Sequence, residues 1–259
     1  VISKNLERNL LPFLRQKAAG LRYYNPNKQR YVVSYVGLNE AVRQQTGSDL
    51  KSKTGRRFGL KVLQAMVKFV DTFRVESGLD VVLSGHPKGV CYANFAVMDA
   101  AKYGGGSVYN GGKHPYYSKS HFVNSRRLNE KLRVEGIFNR KLGGGGMTLI
   151  RLTVGQHSPD DVLKLIEYVL SRRDVDYLTF SRALTICSKC GLVQQSISAR
   201  CGRCRSRLVS VWSRDTGHLQ NIRTWGFSQR QAYVDEYRYG LDGVGVGLNN
   251  RERRIIMNY

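Results

Sequence analysis

Two short cysteine pairs constrain this chain more than any other feature in it. Cys187-Ser188-Lys189-Cys190 is followed, after ten residues, by Cys201-Gly202-Arg203-Cys204; four of the five cysteines in 259 residues sit in these two knuckles. A two-residue gap lets both thiolates of a knuckle turn toward one ion. Two knuckles then supply a tetrahedral all-thiolate site, the geometry zinc prefers. The competing arrangement is two disulfides or free thiols. A disulfide inside each C-x-x-C would be strained, and nothing in the sequence marks secretion. The expected ligands are therefore Cys187, Cys190, Cys201 and Cys204, with Zn2+ as a structural ion. Protein fills all four positions, so no site is left open for substrate, and the ion's task is to pin the segment C-terminal to it.

A length of 259 residues fits one large domain, or one domain plus a module, and 41% hydrophobic content supports a core. No run of eighteen apolar residues occurs, so no membrane span is expected. The start, Val1-Ile2-Ser3-Lys4-Asn5, has neither a signal-peptide apolar core nor an initiator Met, as expected of a processed, trimmed or partial chain. Cysteine usage fits a reducing compartment. The cytoplasm is the expected location, with the mitochondrion as the alternative.

Charge is the unusual quantity. There are 42 Lys and Arg against 19 Asp and Glu, a net +23. A field of that sign attracts polyanions: RNA, DNA, nucleotides or an acidic partner. The bland alternative is a solvated surface. The charge is spread out, with only pairs at Arg126-Arg127, Arg172-Arg173 and Arg253-Arg254. After Lys189 there is arginine but no lysine. That fits bidentate contacts to phosphate or carboxylate, though codon bias gives the same pattern.

Along the chain, Leu6, Leu10, Leu11 and Leu14 predict a helix within residues 1–20. Tyr31 to Val36 is rich in β-formers and predicts a buried strand. Thr54 to Glu76 predicts a long helix with Leu60, Leu63, Met66, Val67, Val70 and Phe73 on one face. Asp80 to Leu83 predicts a strand closed by Ser84-Gly85-His86-Pro87, and a helix or turn comes next over Phe95 to Ala101. This alternation argues for an α/β layout with parallel neighbours. Tyr103 to Arg127 is irregular. Its glycine runs, Gly104 to Gly106 and Gly111-Gly112, match no phosphate-loop pattern and read as a surface loop. Met147 to Val154 is the next strand. Ser158-Pro159-Asp160-Asp161 opens a helix, with Ser as cap, Pro in the first turn and acids at the positive dipole end. Tyr177 to Ile186 is a last strand, delivering the chain to Cys187. The tail from Gly240, rich in Gly and Arg, is expected to be weakly ordered. His86, His114, His121 and His157 show no metal-ligand spacing and read as loop residues. The lone Cys91 reads as a packed thiol.

The order of these features resembles the C-terminal half of the class III, anaerobic, ribonucleoside-triphosphate reductases, a glycyl-radical family. The resembling segments are Val36 to Glu40, Phe58 to Leu63, His86-Pro87 through Ala96, His114 to Ser120, the Gly145-Gly146 strand, Tyr177 to Cys190, the second knuckle, and Arg214-x-Thr216-Gly217. Their collinearity from about residue 31 to 239 carries the resemblance. It implies part of a glycyl-radical-enzyme α/β barrel over 1–182, a zinc-ribbon over 183–212, a glycyl-radical-like loop and short helix over 213–240, and a tail over 241–259. It also implies that Gly217 is the radical position. A backbone radical needs a flattened carbon, and only glycine flattens there without a side-chain clash. By the same resemblance, a radical-SAM activase generates the radical. A cysteine in an N-terminal reductase half then receives it and abstracts the ribose 3′ hydrogen. That half lies before residue 1, so this chain is not expected to act alone.

The chain departs from the family pattern in several places. Pro87-Lys88-Gly89 lacks a carboxylate, Asn94 stands for Arg, Lys119 for Asn and His218 for Tyr, and Phe227 to Arg230 blurs a later motif. Two functions remain as expectations. One is the C-terminal part of a working or split reductase, reducing ribonucleotides to deoxyribonucleotides. The other is a retired reductase used as a basic RNA-binding component of a ribonucleoprotein, such as an organellar ribosome.

Overall fold

The computed structural model describes all residues except 1, 26–27, 86–88, 106–107, 109–112, 155–157, 173–174 and 216. The chain opens with α1 (Ile2–Glu7), a 3-10 turn (Pro12–Arg15) and a small hairpin of β1 (Lys17–Ala18) and β2 (Leu21–Arg22). The single helix expected here is broken: Asn9 takes a positive φ of 56° and Pro12 cannot continue the ladder. Then come β3 (Tyr31–Ser34), α2 (Leu38–Thr46), α3 (Lys53–Ser77), β4 (Val81–Ser84), α4 (Cys91–Tyr103), α5 (Leu128–Asn139), β5 (Met147–Arg151), α6 (Pro159–Ser171) and β6 (Tyr177–Ser181).

The long helix is well specified. The Ser52 side chain caps α3 by accepting from Gly55 N at 2.9 Å, and Gly78 ends it at φ +68°. Gly59 has a packing reason: a Cβ there would lie 2.7 Å from Leu50 Cδ2 and 3.3 Å from the Phe138 ring. Leu50, Leu63, Val70, Val81, Leu83, Val134 and Phe138 form one buried cluster around this helix. The expected capping of α6 is present in full. Ser158 accepts from Asp161 N, and the Asp161 side chain accepts from Ser158 N.

The strand–helix–strand alternation gives parallel pairs, as the pattern requires. β3 runs parallel to β4 with Tyr31 opposite Val81, and β5 runs parallel to β6 with Met147 opposite Tyr177. A bridge between Gly85 and Gly146 joins the two pairs, with Gly85 N donating to Gly145 O at 2.9 Å. The fold is α/β, but no closed barrel forms among the described residues. The parallel strands end at β3 on one side. β3 also corrects an expectation: Val32 and Val33 are exposed, and among the described residues this strand pairs with β4 alone.

The expected last strand is two. The chain breaks after Ser181 and leaves the parallel pair. It continues as β7 (Leu184–Cys187) in an antiparallel sheet ordered β10-β9-β7-β8, with β8 (Val193–Gln194), β9 (Val209–Arg214) and β10 (Leu219–Asn221). After these come α7 (Phe227–Asp235), a pairing of β11 (Arg238–Tyr239) with β12 (Gly245–Val246), and α8 (Asn250–Met257). The tail is thus ordered, against expectation. Leu128 N donates to Gly243 O at 2.9 Å, and Asn249 and Glu252 close a capping box on α8. Ile256 packs with Val211, Ile222, Trp225 and Tyr233. Among the described residues no helix is long and apolar enough to cross a membrane.

Candidate functional site

The two knuckles come together as their spacing requires. All four sulfurs lie within 4.8 Å of one another, with Cys187 Sγ 3.7 Å from Cys204 Sγ and Cys190 Sγ 3.5 Å from Cys201 Sγ. Disulfide sulfurs are bonded at about 2.05 Å, whereas sulfurs tetrahedral about a metal at ~2.3 Å lie ~3.8 Å apart. The four thiols are free, which removes the disulfide alternative, and the cluster can hold a metal ion. Its backbone is already shaped. Cys204 N donates to Cys201 Sγ at 3.5 Å, a contact that favours the thiolate form a metal binds. Ser188 N donates to Leu208 O at 2.9 Å, tying the first knuckle to the strand that leaves the second.

That strand, β9, runs from the cluster toward Gly217. Arg214 on β9 pairs with Leu219 on β10, and Asp215, Gly217 and His218 stand between them in the sequence. Gly217 is exposed at φ +74°, the left-handed region, and a Cβ placed there would meet no described atom within 4 Å. Thr216 lies outside the described residues. One step earlier, Asp215 is buried. Its Oδ2 accepts from Tyr92 Oη at 2.7 Å and Gln229 Nε2 at 2.9 Å; its Oδ1 accepts from Lys119 Nζ and from Arg151 Nη2 at 3.5 Å. Donors from α4, the 113–127 loop, β5 and α7 therefore converge on the residue two positions before the exposed glycine.

Glu236 completes the network. It accepts from Lys119 Nζ at 3.0 Å and from Arg151 Nε. Burial alone would raise its carboxyl, but Arg151 and Lys119 outweigh burial and hold it down to about 2. Tyr92 is pushed up by burial and then by the Asp215 charge, so it stays a neutral donor. Arg151 Nη1 also donates to Arg214 O at 2.6 Å, fastening the end of β9 to β5. Two cations and two carboxylates thus cancel inside the protein. Lys119, an expected departure toward basic charge, spends that charge here and presents none to solvent. A cavity of about 290 Å³ adjoins the network, bounded by Glu40, Tyr92, Tyr116, Tyr117, Lys119, Asp235 and Glu236.

Other expected site features fall elsewhere. His86, His157, Pro87 and Lys88 lie outside the described residues, as do Gly106, Gly111 and Gly112. His121 is in a loop, as read, but buried between Tyr35 Oη at 2.7 Å and Asn139 Oδ1 at 2.8 Å. Cys91 is exposed rather than packed. α4 buries Tyr92, Ala93 and Ala96, which leaves Cys91 on the outer side with Phe95. Asp215 and Glu236 are the residues that sequence reasoning passed over. Asp215 stood within the Arg214-x-Thr216-Gly217 pattern as an unassigned position.

Residues 1–239 match the model of the anaerobic ribonucleoside-triphosphate reductase family. The chain belongs to that family. Solved structures carry the same fold. A structure described as an anaerobic ribonucleotide reductase is 18% identical with a TM-score of 0.66, over 92% of this chain and 36% of that one. The Thermotoga maritima anaerobic reductase with dATP in its specificity site is 19% identical at TM-score 0.66, over 87% of this chain and 36% of that one. The same enzyme with MES in its active site is 18% identical at TM-score 0.67, over 87% and 37%. This reductase-family chain therefore spans little more than a third of the length of those enzymes. No curated protein matches it.

Proposed function

We propose that this chain is the C-terminal part of an anaerobic ribonucleoside-triphosphate reductase, and that Gly217 is its radical position. Cys187, Cys190, Cys201 and Cys204 would hold Zn2+. With four protein ligands the ion would supply rigidity and no reacting position. The protein's own work is positioning. The ribbon fixes one end of β9. Asp215, Arg151 and Lys119 fix the other, next to a glycine whose α-carbon carries no side chain and faces open space. The observation that carries the reading is this double anchoring of one exposed glycine in a chain of this family. The thiol that would receive the radical belongs to an N-terminal reductase half, so activity needs that half and a radical-SAM activase. The test is anaerobic activation of the chain with both partners supplied, read by electron paramagnetic resonance. A glycyl signal that broadens on 13C-glycine labelling and vanishes in Gly217→Ala is the expected result. A signal that survives Gly217→Ala, or no signal with both partners present, would sink it.

A second reading is supported by the charge: a family member used as a basic RNA-binding component. Net +23 far exceeds the charge a nucleotide enzyme needs to hold one triphosphate. Copurification with RNA that survives moderate salt is its expected signature, and elution free of nucleic acid at low salt would count against it.

A further inference from the structure

We propose that the cysteine-knuckle ribbon is an RNA contact surface, whose exposed cations grip the phosphodiester backbone of paired RNA. The proposal rests on the second reading above and gives it a site. From Tyr177 to Arg214 the chain carries seven Lys and Arg and no Asp or Glu. The carboxylates that flank this stretch face elsewhere: Asp176 accepts from Gly146 N at 3.0 Å, and Asp215 is buried in its ion network. Lys189, Arg200, Arg203, Arg205 and Arg207 are all exposed. None of the five takes part in an ion pair among the described residues.

Their placement is set by the cluster. Lys189 precedes Cys190, Arg200 precedes Cys201, and Arg203 and Arg205 flank Cys204. The sulfurs of those cysteines lie within 4.8 Å of one another, so four cations radiate from one small kernel. A zinc tetrathiolate carries −2, which leaves the segment at about +5. Elsewhere some of the positive charge is spent: Lys119, Lys131 and Arg151 are buried in ion pairs, and Arg30, Arg74 and Arg253 face carboxylates. In the ribbon five exposed cations stand uncompensated between Lys189 and Arg207.

The chemistry selects the partner. Guanidinium forks suit phosphate oxygens. No aromatic residue occurs between Phe180 and Trp212, so the knuckle tip that carries these cations offers no ring on which unpaired bases could stack. Paired RNA needs none; it presents phosphates and 2′-hydroxyls in fixed rows, recognised by shape rather than sequence. Ser188, exposed beside Lys189, adds a hydroxyl donor of the matching kind.

The test uses the full, metal-loaded chain and a labelled 20-base-pair RNA stem, monitored by fluorescence anisotropy between 50 and 200 mM KCl. About five phosphate contacts predict a log–log salt slope near −4, a loss of roughly two to three decades across that range. Arg203→Gln with Arg205→Gln should make the slope shallower by roughly two and weaken binding at least tenfold. Arg203→Lys with Arg205→Lys should keep most of the slope. Arg251→Gln with Arg254→Gln, removing equal charge from α8, should change little. Metal content and circular dichroism report whether each variant is folded. If the chain binds RNA but the ribbon pair has no more effect than the α8 pair, this inference falls and the RNA reading stands. If the chain binds no RNA, both fall. Tighter binding to B-form DNA of the same length, or displacement of the stem by polyglutamate in preference to competing RNA, overturns the assignment of partner.

Discussion

Asp215 accepts hydrogen bonds from four side chains, two of them cationic, in surroundings closed to water. Removing it leaves Lys119 and Arg151 with Glu236 as their remaining carboxylate. Asp215→Ala should therefore cost about 3–5 kcal/mol, the range for breaking a buried pair. Asp215→Asn should cost less, because its amide oxygen still accepts from Tyr92. Urea unfolding measures both, and equal stability of the alanine variant would refute the anchoring role. His121 gives a pH prediction. Burial, with Lys131 adding, lowers it to about 4 from 6.5, against the opposing effect of its hydrogen bond to Asn139 Oδ1. The folded state keeps the ring neutral while the unfolded chain protonates it. Stability from this group is complete above pH 6.5 and is lost as pH falls from 6.5 to 4, by about 3 kcal/mol. His121→Gln should flatten that part of the profile. The cysteines were legible because a two-residue spacing is a local signal. Asp215 was not, since Lys119 and Tyr92 lie 96 and 123 positions away and no periodicity links them.

Elements were legible where one face is apolar and the ends are capped. α3 and α6 meet both conditions; α3 appears within a residue of its expected bounds and α6 at its expected start. α5 meets neither, and the sequence reading passed over it. Its buried face includes Lys131, Glu135 and Asn139, so its apolar period is interrupted. Those groups are matched inside: Lys131 donates to Glu135, Glu135 accepts from Val123 N at 3.1 Å, and Asn139 holds His121. The tail misled for the opposite reason. Gly240 to Gly247 has the composition of a flexible segment, but Gly245 N donates to Arg126 O at 2.6 Å and Val246 pairs with Arg238, which fixes it. α8 then closes over the core beneath β9. Ile256→Ala, at a fully buried position in that core, should cost about 2–4 kcal/mol. Asn249→Ala, which removes the α8 cap, should cost about 1 kcal/mol. Thermal melts compare the two. A silent Ile256→Ala would mean that the tail does not dock.

At the scale of the molecule, alternation of strand and helix gave the α/β class, because each parallel crossover needs a helix between its strands. Closure into a barrel was not readable, since it depends on which strand edges find partners. The assembled chain has distinct cores: one around α3, β4 and α5, another joining the ribbon sheet, α7 and α8. The tip of the ribbon has almost none of its own. From Ser188 to Leu208, Ile197 and Cys201 are the buried residues, so the thiol cluster takes the place of a core there. Structural zinc binding is folding free energy in such a setting. Chelation at neutral pH should therefore raise amide exchange over 187–209. It should leave α3 protected, and the end of β9 should hold because Arg151 and Asp215 grip it without metal. One zinc per chain by elemental analysis, lost in Cys187→Ser or Cys204→Ser, completes the expectation. Exchange that rises together across the ribbon and α3 would mean that the ion supports the whole fold, and the division between a metal-made tip and a self-sufficient body would be wrong.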